Sequence, residues 1–256
     1  MDKNEDLEIS DIYRKTDSGQ KVKLIQEWLN LHNIHIAIDG SFGPATERAV
    51  KQFQRTQKGN LEVDGIVGTR TFKSLIFPMI QAIRIFHDFR YLVGKNSMEG
   101  TVFYAREHLL QGPREVGGEN CGPWVRLYMD GYEGNVYPWC AGFVSYILKQ
   151  VYGEKVPVIK SFSVDAIVKD AIKRGIFYRE ENLFSIKRSK IIKPGSLWVL
   201  RKLWGDWTHI GIVIETQEDT FTAIEGNTND VGSREGVEVA LRIRNYLRKD
   251  FIIFKD

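Results

Sequence analysis

Cysteine and histidine are scarce in this chain of 256 residues, which has two cysteines and five histidines. Two cysteines do not make a disulfide framework, and the CxxC and HxxxH spacings of structural zinc sites are absent. Neither HxH nor HExxH occurs to begin a catalytic zinc site. We therefore expect no metal and no cofactor, and we expect any cysteine chemistry to be nucleophilic rather than structural.

Long hydrophobic runs and a strong charge of one sign are also lacking. No apolar run approaches the ~18 residues of a membrane span, and the polar first twenty residues do not suit the apolar core of a signal peptide. The net charge of +3 and the pI near 8.7 are too mild to indicate a nucleic-acid partner. We expect no membrane span and no nucleic-acid binding, and the export route stays open, with phage lysis and non-standard secretion as alternatives.

The remaining composition is that of a folded protein. Hydrophobic residues make up 43% of the chain and charged residues 27%, which excludes a disordered or collagen-like chain. A chain of this length suits two domains, each with its own core. We expect a monomer.

The N-terminal third contains an internal repeat. The segment IDGSFGPAT, residues 38 to 46, recurs 25 residues later as VDGIVGTRT. Each copy predicts a turn at Asp-Gly followed by a helix start, with Pro44 at the first helical position and Thr69 as an N-cap. The second glycine of each copy, Gly43 and Gly68, is predicted to need a positive φ.

Helical spacing of apolar residues surrounds the repeat. The segments Val22 to Leu31 and Pro44 to Arg55 each place their apolar residues on one stripe, which predicts a buried helix face. Together with the helix that follows the second copy, they predict a compact all-α unit of three helices over residues 18–77, after a polar tail over residues 1–17.

This pattern resembles the small three-helix peptidoglycan-binding domain that is found attached to many cell-wall hydrolases. The matching residues are Ile25, Gln26, Leu29, Asn30, Asp39, Gly40, Phe42, Gly43, Thr46, Ala49, Val50, Phe53, Gln54, Asp64, Gly65, Gly68 and Thr71. The resemblance implies that peptidoglycan is the partner and that the protein acts at the bacterial cell wall. The alternative is a module that has kept the fold for packing and lost the ligand.

Residues 78–95 predict a linking helix and loop, and residues 96–256 predict a second domain. Helical segments come first in that domain, and they are followed by consecutive strands with short connections. The strand segments are GSLWVL, HIGIVIE, TFTAIEGN, GVEVALRI and FIIF. This order predicts an α+β domain in which helices pack on an antiparallel sheet.

The stretch YPWCAGFVSYIL, from Tyr137 to Leu148, sets Cys140 directly before an apolar, helix-like run. A buried, inert thiol explains this placement, because free cysteine is often found inside proteins. A catalytic thiol explains it equally well, because the positive end of a helix dipole favours a thiolate. The stretch by itself supports either interpretation.

A thiol nucleophile needs a base, and the base needs an acceptor for its other ring nitrogen. His209 opens an apolar strand and is the candidate base. The predicted hairpin sets Val213 opposite Phe221 and His209 opposite Glu225. Because strand side chains alternate, Asn227 is predicted on the face that carries Glu225, so either side chain could orient the imidazole.

The segments PWCAGFVSYIL, THIGIVIE and AIEGN resemble the CHAP family, the cysteine, histidine-dependent amidohydrolases and peptidases of papain-like fold. The resemblance implies a papain-like domain in which Cys140 is the nucleophile, His209 is the general base, and Glu225 and Asn227 orient it. Joined to a wall-binding module, it implies an endolysin-like peptidoglycan hydrolase, either a muramoyl-L-alanine amidase or an endopeptidase of the stem or cross-bridge.

Other residues compete for roles in this site. Cys121 also precedes a helix-like run and is the rival nucleophile, and its segment, with Asn120, is predicted to line the substrate cleft. Trp139, Trp204 and Trp207 are candidate cleft walls, although tryptophans pack in cores as often. Two further function classes stay open at this point: a wall-binding protein with a degenerate hydrolase domain, and a metal-dependent hydrolase.

Overall fold

The computed structural model describes residues 5–84, 97–183, 188–228 and 236–254. The chain divides into two compact units, and each is formed by two stretches of sequence. The first unit comprises Met1–Gln81 and Arg114–Asn135, and the second comprises Ala82–Pro113 and Val136–Asp256. The predicted boundary near residue 95 lies outside the described residues. The chain instead crosses between the units three times.

The first unit is helical, as predicted. Its helices are α1 (Gln20–Leu31), α2 (Pro44–Thr56), α3 (Thr69–Leu75) and α6 (Pro123–Tyr128), and α4 (Phe77–Ile83) crosses the unit boundary. The largest buried side chains of the repeat region are Trp28, Phe42, Phe53 and Phe72. They form the apolar interior that the helical stripes predict.

Two glutamines satisfy the turns of the repeat in the same way. Gln26 Nε2 donates to Asp39 Oδ1 at 2.8 Å and lies 3.2 Å from Thr46 Oγ1, while Gln26 Oε1 accepts from the Gly40 N–H at 2.7 Å. In the second copy, Gln54 makes the corresponding bonds to Asp64, Gly65 and Thr71. The repeated Gln, Asp and Thr residues therefore stabilise the turns from within, because buried polar groups need hydrogen-bond partners.

The backbone of the repeat corrects two predictions. Gly43 and Gly68 have φ of −85° and −92°, so neither needs a glycine-specific conformation. The positive φ belongs to the glycine of each Asp-Gly pair, with 72° at Gly40 and 81° at Gly65. Thr69 is the first helical residue rather than the N-cap, because Gly68 occupies the cap position. The helix therefore begins one residue earlier than the threonine pattern predicts.

The second stretch of the first unit is anchored on the repeat region by one arginine. Arg126 bonds Asp6 at 2.6 Å, Glu27 of α1 at 2.7 Å and Glu133 at 2.7 Å. Trp124 packs edge-on against Trp28 with ring centroids 6.1 Å apart. These residues come from the predicted polar tail, the binding module and the second domain, so the predicted domain limits divide residues that contact one another.

The second unit is an antiparallel sheet with helices, as predicted. Its helices are α5 (Ser97–Gln111), α7 (Cys140–Tyr152), α8 (Val164–Lys173) and α9 (Arg188–Ile191). Its strands are β1 (Phe177–Tyr178), β2 (Leu197–Leu203), β3 (Asp206–Thr216), β4 (Thr220–Thr228), β5 (Glu238–Asn245) and β6 (Lys249–Ile252). The strand order is β1-β6-β2-β3-β4-β5, so β3 and β4 lie inside the sheet.

The register of the β3–β4 hairpin differs from the predicted one. Val213 lies opposite Ala223, and a bulge precedes the pair of Thr216 and Phe221. The prediction that Val213 lies opposite Phe221 is therefore wrong by two residues. The turn lies later than predicted, and the bulge adds a residue that a regular ladder does not have. A shift of two still keeps each side chain on its predicted face.

Within the described residues, no helix is both long and apolar enough to span a membrane.

The internal glutamines allow a stability test. We predict that Gln26→Ala destabilises the first unit by roughly 2–4 kcal/mol, because buried partners lose a hydrogen bond with no replacement. Hydrogen exchange at the Gly40 amide, whose acceptor is Gln26 Oε1, should become faster. The control is Gln52→Ala, which removes an exposed glutamine from α2. Equal exchange at Gly40 in both variants would contradict the assigned role.

Candidate active site

Cys140 is the first residue of α7, and Trp139 is its N-cap. The first bond of the helix runs from the Phe143 N–H to the Trp139 carbonyl, so the N–H groups before Phe143 stand at the open end of the helix. The apolar residues that follow Cys140 are buried and hold this end in place. The thiol therefore lies in the positive end of the helix dipole, which favours a thiolate.

Gly226 of β4 brings the start of α7 close to the sheet. A Cβ at this position would lie 2.7 Å from Phe143 Cβ and 2.9 Å from Trp139 Cζ3. Real Cβ atoms do not approach so closely, so a side chain here would push the helix away. Glycine therefore sets the short distance between the helix that carries Cys140 and the strand that carries Glu225.

His209 and Glu225 form a hydrogen bond inside the second unit. His209 Nε2 lies 3.0 Å from Glu225 Oε2, and both side chains are 0% exposed. Gly211 gives the carboxylate its space, because a Cβ there would lie 2.8 Å from Glu225 Cγ. The predicted contact thus forms although the register is shifted by two residues. The shift keeps both side chains on one face, and they meet diagonally rather than directly.

The Glu225 carboxylate has two further partners that the sequence did not suggest. Arg244 donates from Nε to Oε1 at 2.8 Å and from Nη2 to Oε2 at 2.6 Å, and the Thr228 hydroxyl donates to Oε2 at 3.0 Å. The backbone of Arg244 lies opposite Phe221, whereas Ala240 lies opposite Glu225. No motif marks Arg244, and its diagonal reach along the sheet has no sequence signal.

The electrostatics of the site favour an ionised pair. Burial alone would raise the pKa of Cys140, but the hydrogen bond and charge of His209 lower it below its ordinary value, with help from the Ile210 and Ala141 backbones. Burial would lower the pKa of His209, but Cys140 and Glu225 raise it to about 9. The two shifts act in the same sense, and both favour a thiolate beside an imidazolium over the neutral pair.

The two ring nitrogens of His209 have different surroundings. Nε2 is held by Glu225, while Nδ1 has no hydrogen-bond partner within the described residues. Cys140 raises the pKa of His209, so its sulfur lies close to the ring, and Nδ1 is the ring nitrogen that Glu225 leaves available to the thiol. This gives a chain of sulfur, imidazole and carboxylate, which is the order that nucleophilic catalysis needs.

Asn227 lies at an irregular point of β4. It is buried with a φ of 50°, in the left-handed region that asparagine tolerates, at the register shift between Glu225 and Thr228. The acceptor at His209 Nε2 is Glu225. The structure therefore brings Cys140, His209 and Glu225 together, and a role for Asn227 stays a prediction.

The three candidate tryptophans differ in exposure. Trp139 is 0% exposed and packs behind Gly226, so its ring is closed to solvent in this conformation, and its contact with substrate stays a prediction. Trp207 is buried and donates from Nε1 to Asp250 at 2.8 Å. Trp204 is 73% exposed, and Arg179 stacks on its ring at 3.7 Å. Of the three, Trp204 alone presents its ring to solvent.

The rival thiol has the opposite environment. Cys121 belongs to the first unit, and its Sγ donates to the Glu119 carbonyl at 3.2 Å. Burial and the charge of Glu133 raise the pKa of this thiol, so its thiolate is disfavoured. Asn120 belongs to the same unit, and its N–H donates to Glu115 at 2.7 Å. The roles predicted for Asn120 and Cys121 in substrate binding stay predictions.

Metal ligation was the third function class. Across the described ranges, no three His, Cys, Asp or Glu side chains are grouped so that they could hold a metal ion.

The ionised pair allows a test that needs no substrate. We predict that Glu225→Gln lowers the pKa of His209 by one unit or more from about 9, because the imidazolium loses the negative charge beside it. The His209 ring then stays protonated over a narrower range of pH, because it begins to lose its proton at lower pH. NMR titration of the His209 ring measures this shift.

Asn227→Ala is the matched control, because it changes a buried polar residue on the same strand without removing a charge. A larger shift with Asn227→Ala than with Glu225→Gln would make Asn227 the orienting residue.

Comparison with known proteins gives one match, which lies in the first unit. Residues 18–75 match the family described as "Putative peptidoglycan binding domain". A search of curated proteins finds no match. The matched range contains both copies of the repeat and ends before the second unit begins. The chain therefore carries an N-terminal peptidoglycan-binding domain, which is consistent with action at the cell wall.

Proposed function

We propose that the second unit is a cysteine-dependent hydrolase that cleaves an amide bond of peptidoglycan, and that the first unit holds it on the wall. The observation that carries the proposal is the buried chain of Cys140, His209 and Glu225. The bond is either the muramoyl-L-alanine amide or a peptide bond of the stem or cross-bridge. Each of these is an amide that a thiolate can attack.

The reaction follows from the protonation states of the pair. The Cys140 thiolate attacks the amide carbonyl carbon, and the electrons of the C=O bond move to oxygen. N–H groups at the open end of α7, including that of Cys140, stabilise this oxyanion. The His209 imidazolium gives its proton to the departing amine, which leaves a thioester on Cys140.

The second half returns the enzyme to its starting state. Neutral His209 takes a proton from water, and the resulting hydroxide attacks the thioester carbonyl. The Cys140 thiolate leaves as the carboxylic acid product forms. Glu225 stays ionised throughout, since its pKa is held near 2 although burial opposes this, and it stabilises the imidazolium in each half.

The arrangement of elements supports a papain-like domain. A helix begins at the candidate nucleophile and packs against an antiparallel sheet whose inner strand carries the candidate base. The segments around Cys140, His209 and Glu225 are those that resemble the CHAP family. Fold likeness by itself does not assign a reaction, so the proposal rests on the site.

The binding unit contributes through proximity. A module attached to insoluble peptidoglycan keeps the second unit at a high effective concentration of substrate without taking part in the chemistry. The partner is then peptidoglycan, and the place of action is the bacterial wall.

One observation favours the alternative, a wall-binding protein with an inactive hydrolase domain. Cys140 is 3% exposed, so this conformation gives a substrate little access to the sulfur. The buried charges are an argument against this alternative. A buried carboxylate and imidazolium cost desolvation free energy, and a protein without catalytic function has less reason to retain such a pair. Turnover distinguishes the two.

We predict that the protein releases new chain ends from purified peptidoglycan, and that Cys140→Ala and Cys140→Ser abolish this release. Mass spectrometry of the digest identifies the bond from the new ends. Binding to insoluble peptidoglycan, measured by sedimentation, should persist in both variants, because it belongs to the first unit.

Cys121→Ser is the control, since it removes the other thiol and should keep full activity. Full activity of Cys140→Ser would sink the proposal. Loss of activity in Cys121→Ser alone would move the nucleophile to the first unit.

A further inference from the structure

We propose that Arg244 is a positioning residue of this site, which keeps Glu225 ionised and aimed at His209 in mildly acidic solution. The inference rests on the proposed function and extends it to a residue that no sequence motif marks. The side chain of Arg244 bonds Glu225 and Thr228, not the reacting sulfur. It acts through Glu225.

The contact has the geometry of a strong ion pair. The Arg244 guanidinium uses two nitrogens, Nε and Nη2, on the two oxygens of Glu225, at 2.8 and 2.6 Å. Such forked pairs fix the plane of the carboxylate as well as its charge. Nη2 also lies 3.3 Å from the Thr228 hydroxyl, which itself donates to Glu225. The fork therefore leaves the carboxylate one orientation, with Oε2 towards His209.

Burial makes this fork necessary. Glu225 is 0% exposed, and the Arg244 side chain is only 12% exposed. Burial alone would raise the pKa of Glu225, and the hydrogen bond from Arg244 is the largest influence that lowers it, ahead of His209. Without the guanidinium, the carboxyl would hold its proton into a higher pH range, and a neutral carboxyl cannot stabilise an imidazolium by charge.

The charged groups around Glu225 come from three other strands and one helix. His209 of β3 and Arg244 of β5 bond Glu225 directly. Cys140 of α7 interacts with the same His209 ring. Lys249 of β6 is coupled electrostatically to both Glu225 and Arg244. Among the described residues, Arg244 is the one permanent cation in direct contact with Glu225, so it is the group that keeps Glu225 ionised when pH falls.

The expected effect is a change in the acidic limb of the pH–rate curve. In Arg244→Gln, Glu225 takes up a proton at higher pH, so the ionised Cys140–His209 pair is lost earlier on acidification. We predict that the acidic limb moves up by about one pH unit or more. The rate at pH 8, where Glu225 is ionised again, should stay within roughly tenfold of that of the unmodified protein.

Two variants accompany this one. Arg244→Lys keeps the charge but loses the fork, so it should move the limb by less than Arg244→Gln. Arg242→Gln is the matched control, because Arg242 lies two residues away on β5 and pairs with the partly exposed Glu238 at 3.2 Å. It should leave the limb unchanged.

The measurements are hydrolysis of peptidoglycan from pH 4 to 9 and, without substrate, NMR titration of His209 with difference absorbance of the thiolate near 240 nm. A fall in rate that is equal at every pH, with both titrations unchanged, would show a purely structural role and overturn the inference. If Arg244→Gln does not fold, the pH–rate curve of Arg244→Lys provides the test. An acidic limb that is unshifted in Arg244→Lys would contradict the proposed role of Arg244.

The titrations also separate this inference from the proposed function. If the unmodified protein shows no imidazolium near neutral pH, the thiolate–imidazolium site itself is contradicted. If it shows the imidazolium and hydrolyses peptidoglycan, but Arg244→Gln leaves the acidic limb in place, only the role of Arg244 is wrong.

Discussion

The site depends on a buried negative charge, the carboxylate of Glu225. An ionised carboxylate inside a protein is stable only where donors replace the water that it has lost. Here the donors come from β3, β5 and the end of β4 itself, as His209, Arg244 and Thr228. The charge therefore links three neighbouring strands, and the imidazole that it holds is placed for the thiol at the start of α7.

Two glycines allow the strand that carries Glu225 to lie close to α7. Gly211 leaves room for the Glu225 side chain, and Gly226 leaves room for the first turn of α7. Both act by the absence of a side chain rather than by backbone conformation. A methyl group at either position would separate groups whose interaction falls steeply with distance and angle. The polar site and the close approach of helix and strand are thus one structural requirement.

The first unit shows why a family motif need not mark a ligand site. Gln26, Asp39 and Thr46 bond one another, and their counterparts in the second copy do the same. The match to a peptidoglycan-binding domain is thus carried partly by residues that close turns. The unit also extends beyond the matched range, because Arg126 joins residues 114–135 to α1. Removing residues 1–95 would therefore take Trp28 from Trp124, and Asp6 and Glu27 from Arg126. Truncation thus does not separate binding from catalysis cleanly.

The sequence by itself determined what depends on neighbours along the chain. Helical stripes, the Asp-Gly turns and the order of helices before strands are local patterns, and they predicted the helical first unit and the antiparallel sheet. Alternation along strands also predicted that His209 and Glu225 share a face, since a shift of two residues preserves it. Tertiary structure decided the rest: the actual register, which a bulge and a later turn displaced; the place of Trp139 inside the core; the return of residues 114–135 to the first unit; and the reach of Arg244 to Glu225. Each of these depends on contacts between segments distant in sequence, whose free energies leave no periodic trace in the order of residues.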